Sequence, residues 1–194
     1  MISVQPDMSA AKAYLNRLQT RDLPKVIGRS LTRTAASGKT FLSRKLRERV
    51  SLKKAVIDKA IRTRRSSEIQ NLIALELGRA WFEVTMTGKP IALKDFGARS
   101  VRRGVSYQVS KVRGRRLYTS KGQPAFIVPR LGGHVFVRKG PDPKGPQKVG
   151  IRKVYGPSLS QYFHSKRVQR ELIAYCADFW AREIERNARF ALSR

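Results

Sequence analysis

Apolar residues recur every three or four positions in the N-terminal third, alternate every second position in the middle, and return to helical spacing at the end. In "LPKVIGRSLTRTAASGKTFLSRKLRERV", Val26, Ile27, Leu31, Ala35, Leu42 and Leu46 keep one helical face. Asp22 followed two residues on by Pro24 is a helix-start signal, so one long helix is expected from about Leu23 to Arg49. Its middle, Ala35-Ala36-Ser37-Gly38, is small. That is either a weak spot, since glycine costs about 1 kcal/mol relative to alanine, or a place where another helix comes close, including one from a neighbouring subunit. A short helix is expected over Ser9 to Gln19, and Ser51 reads as the cap of another, with Leu52, Val56, Ala60 and Ile61 on one side. Ser67 to Leu77 fits either a helix or an extended connection.

From Arg79 the period shortens. "RAWFEVTMTGKPIALKDFG" mixes aromatic and β-branched residues around a Gly88-Lys89-Pro90 turn signal. "GVSYQVSKV" sets Val105, Tyr107 and Val109 against Ser106, Gln108 and Ser110, the pattern of a half-buried strand. "AFIVPRLGGHVFVRKG" reads as two strands about Leu131-Gly132-Gly133, "KGPDPKGPQ" as a loop and "VGIRKV" as a last strand. Ser158 with Gln161 fits a capping box after the Gly156-Pro157 turn. Ser165 opens a closing helix whose stripe is Val168, Leu172, Tyr175, Cys176, Phe179, Ile184, Ala188 and Ala191. The expectation is one α+β domain with a mostly antiparallel sheet and the closing helix packed on it. It divides into a basic helical arm over 1–65, a sheet with a basic hairpin over 79–154, and C-terminal helices over 158–194.

Charge changes the picture most. The chain carries 42 Lys and Arg against 13 Asp and Glu, a net of +29 on 22.0 kDa. A charge so far from zero implies polyanionic surroundings: DNA, RNA or acidic protein. Between Phe96 and Pro141 there is no Asp or Glu. That interval holds Arg102 and Arg103 on one side of a strand and Lys111, Arg113, Arg115 and Arg116 on the other, the last four at a mobile tip. These six are the candidate phosphate contacts, and such contacts attract backbone without reading sequence. An acidic protein would suit the same cluster. With only Tyr107 and Tyr118 interleaved, a single-strand stacking platform is not expected. A second set, Arg29, Arg33, Arg44, Arg47, Lys53 and Lys54, marks the N-terminal helices as a surface for nucleic acid or acidic partners.

Candidate chemistry is sparse. His134 and His164 have no Cys, Asp or Glu at metal-ligand spacing, so neither a metal site nor a cofactor is expected. Asp95, Glu83 and Glu76 form no nuclease motif, and phosphate-binding and nucleophile-elbow motifs are missing. No enzymatic activity is expected. Cys176 alone excludes an internal disulfide and sits on an apolar stripe as an inert thiol. "MISVQPDMSAAK" lacks a leader pattern, and no apolar run approaches eighteen residues. The expected setting is a reducing cytoplasm, without a membrane span.

Four blocks, "KPIALKDFGAR", "RRGVSYQVSK", "GGHVFVRKG" and "IRKVYGPSLSQYF", in this order over about Lys89 to Phe163, resemble the prophage minor tail protein Z family of tailed bacteriophages. The resemblance implies a virion component, assembled in the host cytoplasm, that completes the tail at the head–tail junction. It also implies a hexameric ring around a double-stranded DNA channel, contacts with other tail and neck proteins, and no catalytic residues. Tyr155, Gly156, Pro157 and Ser158 become a structural corner. Six copies would carry +174, whereas roughly 40 Å of duplex holds on the order of 25 phosphate charges. One basic cluster is then expected at the channel, the 102–116 hairpin, leaving the N-terminal helices for acidic neighbours. A ribosomal-type RNA-binding protein is the alternative that size and charge also fit.

Overall fold

The structure is a computed structural model, and it describes residues 2–4, 23–65, 82–120, 123–138 and 150–193. The helix expected over Ser9 to Gln19, the ambiguous Ser67 to Leu77 and the loop at 139–147 lie outside them, as do Glu76, Lys121 and Lys139. The chain forms two compact units. The first takes Met1–Arg44, Asp58–Thr87 and Tyr162–Arg194, and the second takes Lys45–Ile57 and Gly88–Gln161. Helices sit toward both ends of the chain, and among the described residues every strand pairing is antiparallel, the α+β class read from the sequence.

The first unit contains β1 (Ile2–Val4), most of α1 (Leu23–Arg49), the end of α2 (Lys54–Ala60), β2 (Ile61–Arg65) and β3 (Phe82–Met86). It closes with the end of α3 (Ser160–Phe163) and with α4 (Lys166–Leu192). The helix α1 has the bounds its periodicity predicts, and all six stripe residues named above are buried. It runs antiparallel to α4: Asn187 donates to Ser30 Oγ at 2.9 Å, and Ser37 and Tyr175 share a hydroxyl bond of 2.7 Å. Phe41 stacks on Tyr175 with centroids 4.3 Å apart. A methyl on Gly38 would lie 2.8 Å from Cys176 Sγ. The small stretch is therefore a close-approach site, and the helix it admits is the chain's own α4.

In α4, Val168, Leu172, Cys176, Ile184 and Ala188 are buried as expected, with Tyr175, Phe179 and Ala191 half-buried. Trp180 and Glu183 are buried as well. Burial pushes the Cys176 thiol up to about 11, so it stays protonated. Three strands form a sheet in the order β1-β3-β2, with α4 against β1. The reading that carried a helix through Ile61 is corrected here: α2 stops at Ala60 and Ile61 opens β2, opposite Met86. The alternating charge of "IRTRR" faces solvent at Arg62 and Arg64, while Ile61 is buried.

The second unit holds two further sheets, β10-β9-β8 and β4-β5-β6-β7. Their strands are β4 (Arg99–Val101), β5 (Gly104–Tyr107), β6 (Arg116–Ser120), β7 (Gln123–Pro124), β8 (Phe126–Val128), β9 (His134–Arg138) and β10 (Ile151–Lys153). The hairpin expected about Gly132-Gly133 forms as β8–β9, and both glycines take positive φ, 68° and 67°. Its core gathers Leu46, Val50, Leu93, Phe96, Val105, Val135, Val137, Val154 and Leu159.

Two local readings change. Ser51 caps no helix: its N–H donates to Val109 O at 2.9 Å, Val50 bridges Ser110, and α2 begins at Lys54. The Ser158 hydroxyl meets that of Ser160 at 2.7 Å, and α3 begins at Ser160, so the expected capping box is replaced by a serine pair. The corner itself is built on Gly156. Its N–H donates to Ile91 O at 2.7 Å, Tyr155 bridges Ala92, and a methyl there would sit 2.5 Å from the Phe96 ring.

Candidate nucleic-acid interface

Arg102 and Arg103 form the two-residue turn between β4 and β5, because Val101 pairs with Gly104. Gly104 has φ +135°, and a side chain there would press on Tyr118 O at 3.3 Å. Only glycine closes this turn without strain. Both arginines are exposed. At the other end of β5, Tyr107 pairs with Arg116, and residues 108–115 make the connection. With about 3.3 Å of rise per residue, the four-residue strand separates the two arginine groups by on the order of 10 Å. They flank one strand from opposite ends, as the spacing suggests.

The connection carrying Lys111, Arg113 and Arg115 has its own fastenings. Gln108 Nε2 donates to Ser110 O at 3.2 Å and to Arg113 O at 3.4 Å, and Val112 N–H donates to Ser110 Oγ at 3.2 Å. Val112 at the apex is 87% exposed, so the flanking Lys111 and Arg113 project into solvent. Arg115 behaves differently. Its Nε–H donates to Ser106 Oγ at 2.9 Å, and Nη2 donates to Ser106 O at 2.9 Å and Gly97 O at 2.6 Å. Gly97 presents that carbonyl from a left-handed conformation, φ +64°, at the end of the 3-10 turn Leu93–Phe96. Arg115 thus clamps β5 to this turn and keeps only part of its guanidinium free for a phosphate.

The second basic set divides between the units. Arg29, Arg33 and Arg44 are exposed on the first-unit part of α1. Arg33 lies 3.5 Å from Glu183, and Arg44 sits over the Phe41 ring at 5.8 Å. Arg47, Lys53 and Lys54 belong to the second unit and are exposed.

There Lys53 meets Lys111, a residue of the other set, at a cleft of about 650 Å³ that Ser51, Leu52, Lys94, Asp95 and Gly97 complete. Sequence reasoning missed Lys94. It precedes Asp95, just outside the acid-free interval, and no spacing rule connects it with residues 53 and 111. Two joints bring the three together. Lys111 N–H donates to Arg49 O at 3.0 Å beside the Val50–Ser110 bridge, and Gln108 N–H donates to Phe96 O at 3.0 Å.

Near this cleft Lys94 Nζ donates to Gly132 O at 3.1 Å, and Lys153 Nζ lies 3.0 Å from His134 Nε2 and 5.4 Å from the Tyr155 ring centroid. His134 Nδ1 is buried without a partner among the described residues. Desolvation, and then the ammonium groups of Lys153 and Lys94, lower the His134 pKa from 6.5, with Asp95 opposing.

Among the described residues no three His, Cys, Asp or Glu side chains gather to hold a metal. Glu83 is buried on β3 opposite Arg64, and Asp95 lies in the other unit. Among the described residues no helix is long and apolar enough to cross a membrane. Set against family models, curated proteins and solved structures, the chain finds no match in any of the three.

Proposed function

We propose that this chain is a structural, non-enzymatic protein of a phage tail. It completes the tail at the head–tail junction as an oligomeric ring around the DNA channel and touches the DNA backbone without sequence preference. One observation carries the reading. The second unit holds 22 Lys and Arg against 3 Asp and Glu, a net of +19, and projects Arg102, Arg103, Lys111, Arg113 and Arg116 into solvent. A cationic surface of that density repels itself in isolation and is relieved beside a polyanion. The order of the four sequence blocks adds support. Neighbouring tail and neck proteins with acidic faces account for the charge that DNA leaves unbalanced.

The test is native mass spectrometry of the purified chain, followed by a search for it in tailed particles. The expected results are a ring near six times 22.0 kDa and recovery in the neck of the particle. A monomer that co-sediments with ribosomes and is missing from particles would replace this reading with RNA binding.

A further inference from the structure

We propose that the cleft lined by Lys53, Lys94 and Lys111 in the second unit is a phosphodiester site that seats the backbone of double-stranded DNA. The proposal rests on the reading above that the chain meets DNA, and it moves the centre of contact from the arginine turns to this cleft. Three lysines line the cleft from three segments: the approach to α2, the 3-10 turn and the β5–β6 connection. Backbone hydrogen bonds fix each segment: Ser51 N–H to Val109 O, Lys111 N–H to Arg49 O, and Gln108 N–H to Phe96 O. The backbone positions are thus set before a ligand arrives, and only the lysine side chains need ordering on binding.

Among the described residues, the Lys53 and Lys111 ammonium groups have no hydrogen-bond or ion-pair partner. Lys94 uses one donor on Gly132 O and keeps two. Asp95 is the one carboxylate in the lining, which leaves the cleft at net +2. Its one large apolar lining residue, Leu52, is itself buried. An acidic protein partner would gain affinity from an aromatic anchor, and no aromatic residue lines this cleft. Point charges without aromatic anchors suit phosphate. The exposed Arg113 on the same connection and Arg116 at the start of β6 extend the positive track.

The experiment is fluorescence anisotropy of the full chain with a labelled 25-base-pair duplex of mixed sequence, repeated over a range of salt. K53Q/K94Q/K111Q should weaken binding at least tenfold and flatten the salt slope by about 2 to 3, as loss of three phosphate contacts requires. K53Q/K111Q, which leaves the Lys94–Gly132 bond in place, should give about two-thirds of that flattening. K59Q/K166Q/R170Q removes the same charge from first-unit surfaces and should change affinity less than threefold. Equal losses in this control and the cleft variant would overturn the proposal. So would an unchanged cleft variant beside a crippled R102Q/R103Q/R113Q, although DNA contact itself would then stand. A wild-type chain that ignores the duplex at 150 mM salt would sink the DNA reading along with the cleft. Displacement of the duplex by millimolar inorganic phosphate would assign the cleft to small anions instead, and displacement by polyglutamate of equal charge would assign it to an acidic protein.

Discussion

The two units treat charge in opposite ways. The first holds 20 basic and 10 acidic side chains, a net of +10. Its closing helix α4 pairs Arg167 with Glu171, Arg182 with Asp178, Arg189 with Glu185, and both Arg33 and Arg186 with Glu183. The second reaches +19 with 3 acids, and its best-placed guanidinium, Arg115, bonds to backbone rather than to a carboxylate. The first unit is organised as packing, helix against helix across Gly38. The second presents cations on short strands and turns. A bulk figure of +29 hides this asymmetry, and the proposed contact with a polyanion rests on it.

Disruption of the second unit at its corner should have the largest effect on stability. Gly156→Ala drives a methyl into the buried Phe96 ring, and urea denaturation should show a loss of about 3 kcal/mol. A near-neutral result would mean that the ring yields and the corner is loose. The matching test in the first unit is Gly38→Ala. The methyl gains about 1 kcal/mol of helix propensity but overpacks against Cys176, for a net loss of about 1 kcal/mol. Adding Cys176→Ala should reverse the sign, making the double variant more stable than Cys176→Ala alone. Additive effects would refute the close approach of α1 and α4.

Glu183→Ala tests the pairing that sets the first unit apart. Arg33 and Arg186 are 56% and 54% exposed, so water replaces most of what they lose. The expected cost is about 1 kcal/mol, and it should shrink in high salt.

Acidification gives the smallest expected change. Because His134 titrates below its ordinary value in the folded chain, the unfolded chain binds the extra proton first. Stability therefore holds above about pH 6.5 and declines as the pH falls from there through the folded pKa. His134→Asn should flatten that decline. A decline that persists in the variant would trace to carboxylates instead.

Legibility in the sequence followed how local each interaction is. The bounds of α1 could be read because six buried residues keep helical spacing from Val26 to Leu46, behind the Asp22 and Pro24 start signal. The β8–β9 hairpin could be read because Gly132 and Gly133 supply positive φ at its turn. The strand at Ile61–Arg65 could not, since its outward residues are basic and its partner β3 lies some twenty residues away in the chain. Trp180 lies four residues from both Cys176 and Ile184, so helical spacing places it on the same buried stripe, although the stripe named above left it out. At the basic surface, the exposed arginines were legible as an acid-free run. The convergence of Lys53, Lys94 and Lys111 was not, because it depends on Val50 bridging Ser110, a pairing between the end of a helix and a distant bend. The same distance limit hid the role of Arg115, whose partners Gly97 and Ser106 lie 18 and 9 residues away.

Hydrogen–deuterium exchange of the full chain, with and without a saturating DNA duplex, tests the division of labour most directly. New amide protection should concentrate at residues 50–54, 93–97 and 99–120 of the second unit and leave Lys166–Leu192 unchanged. Protection confined to α4 and the first-unit part of α1, or spread evenly along the chain, would contradict the account.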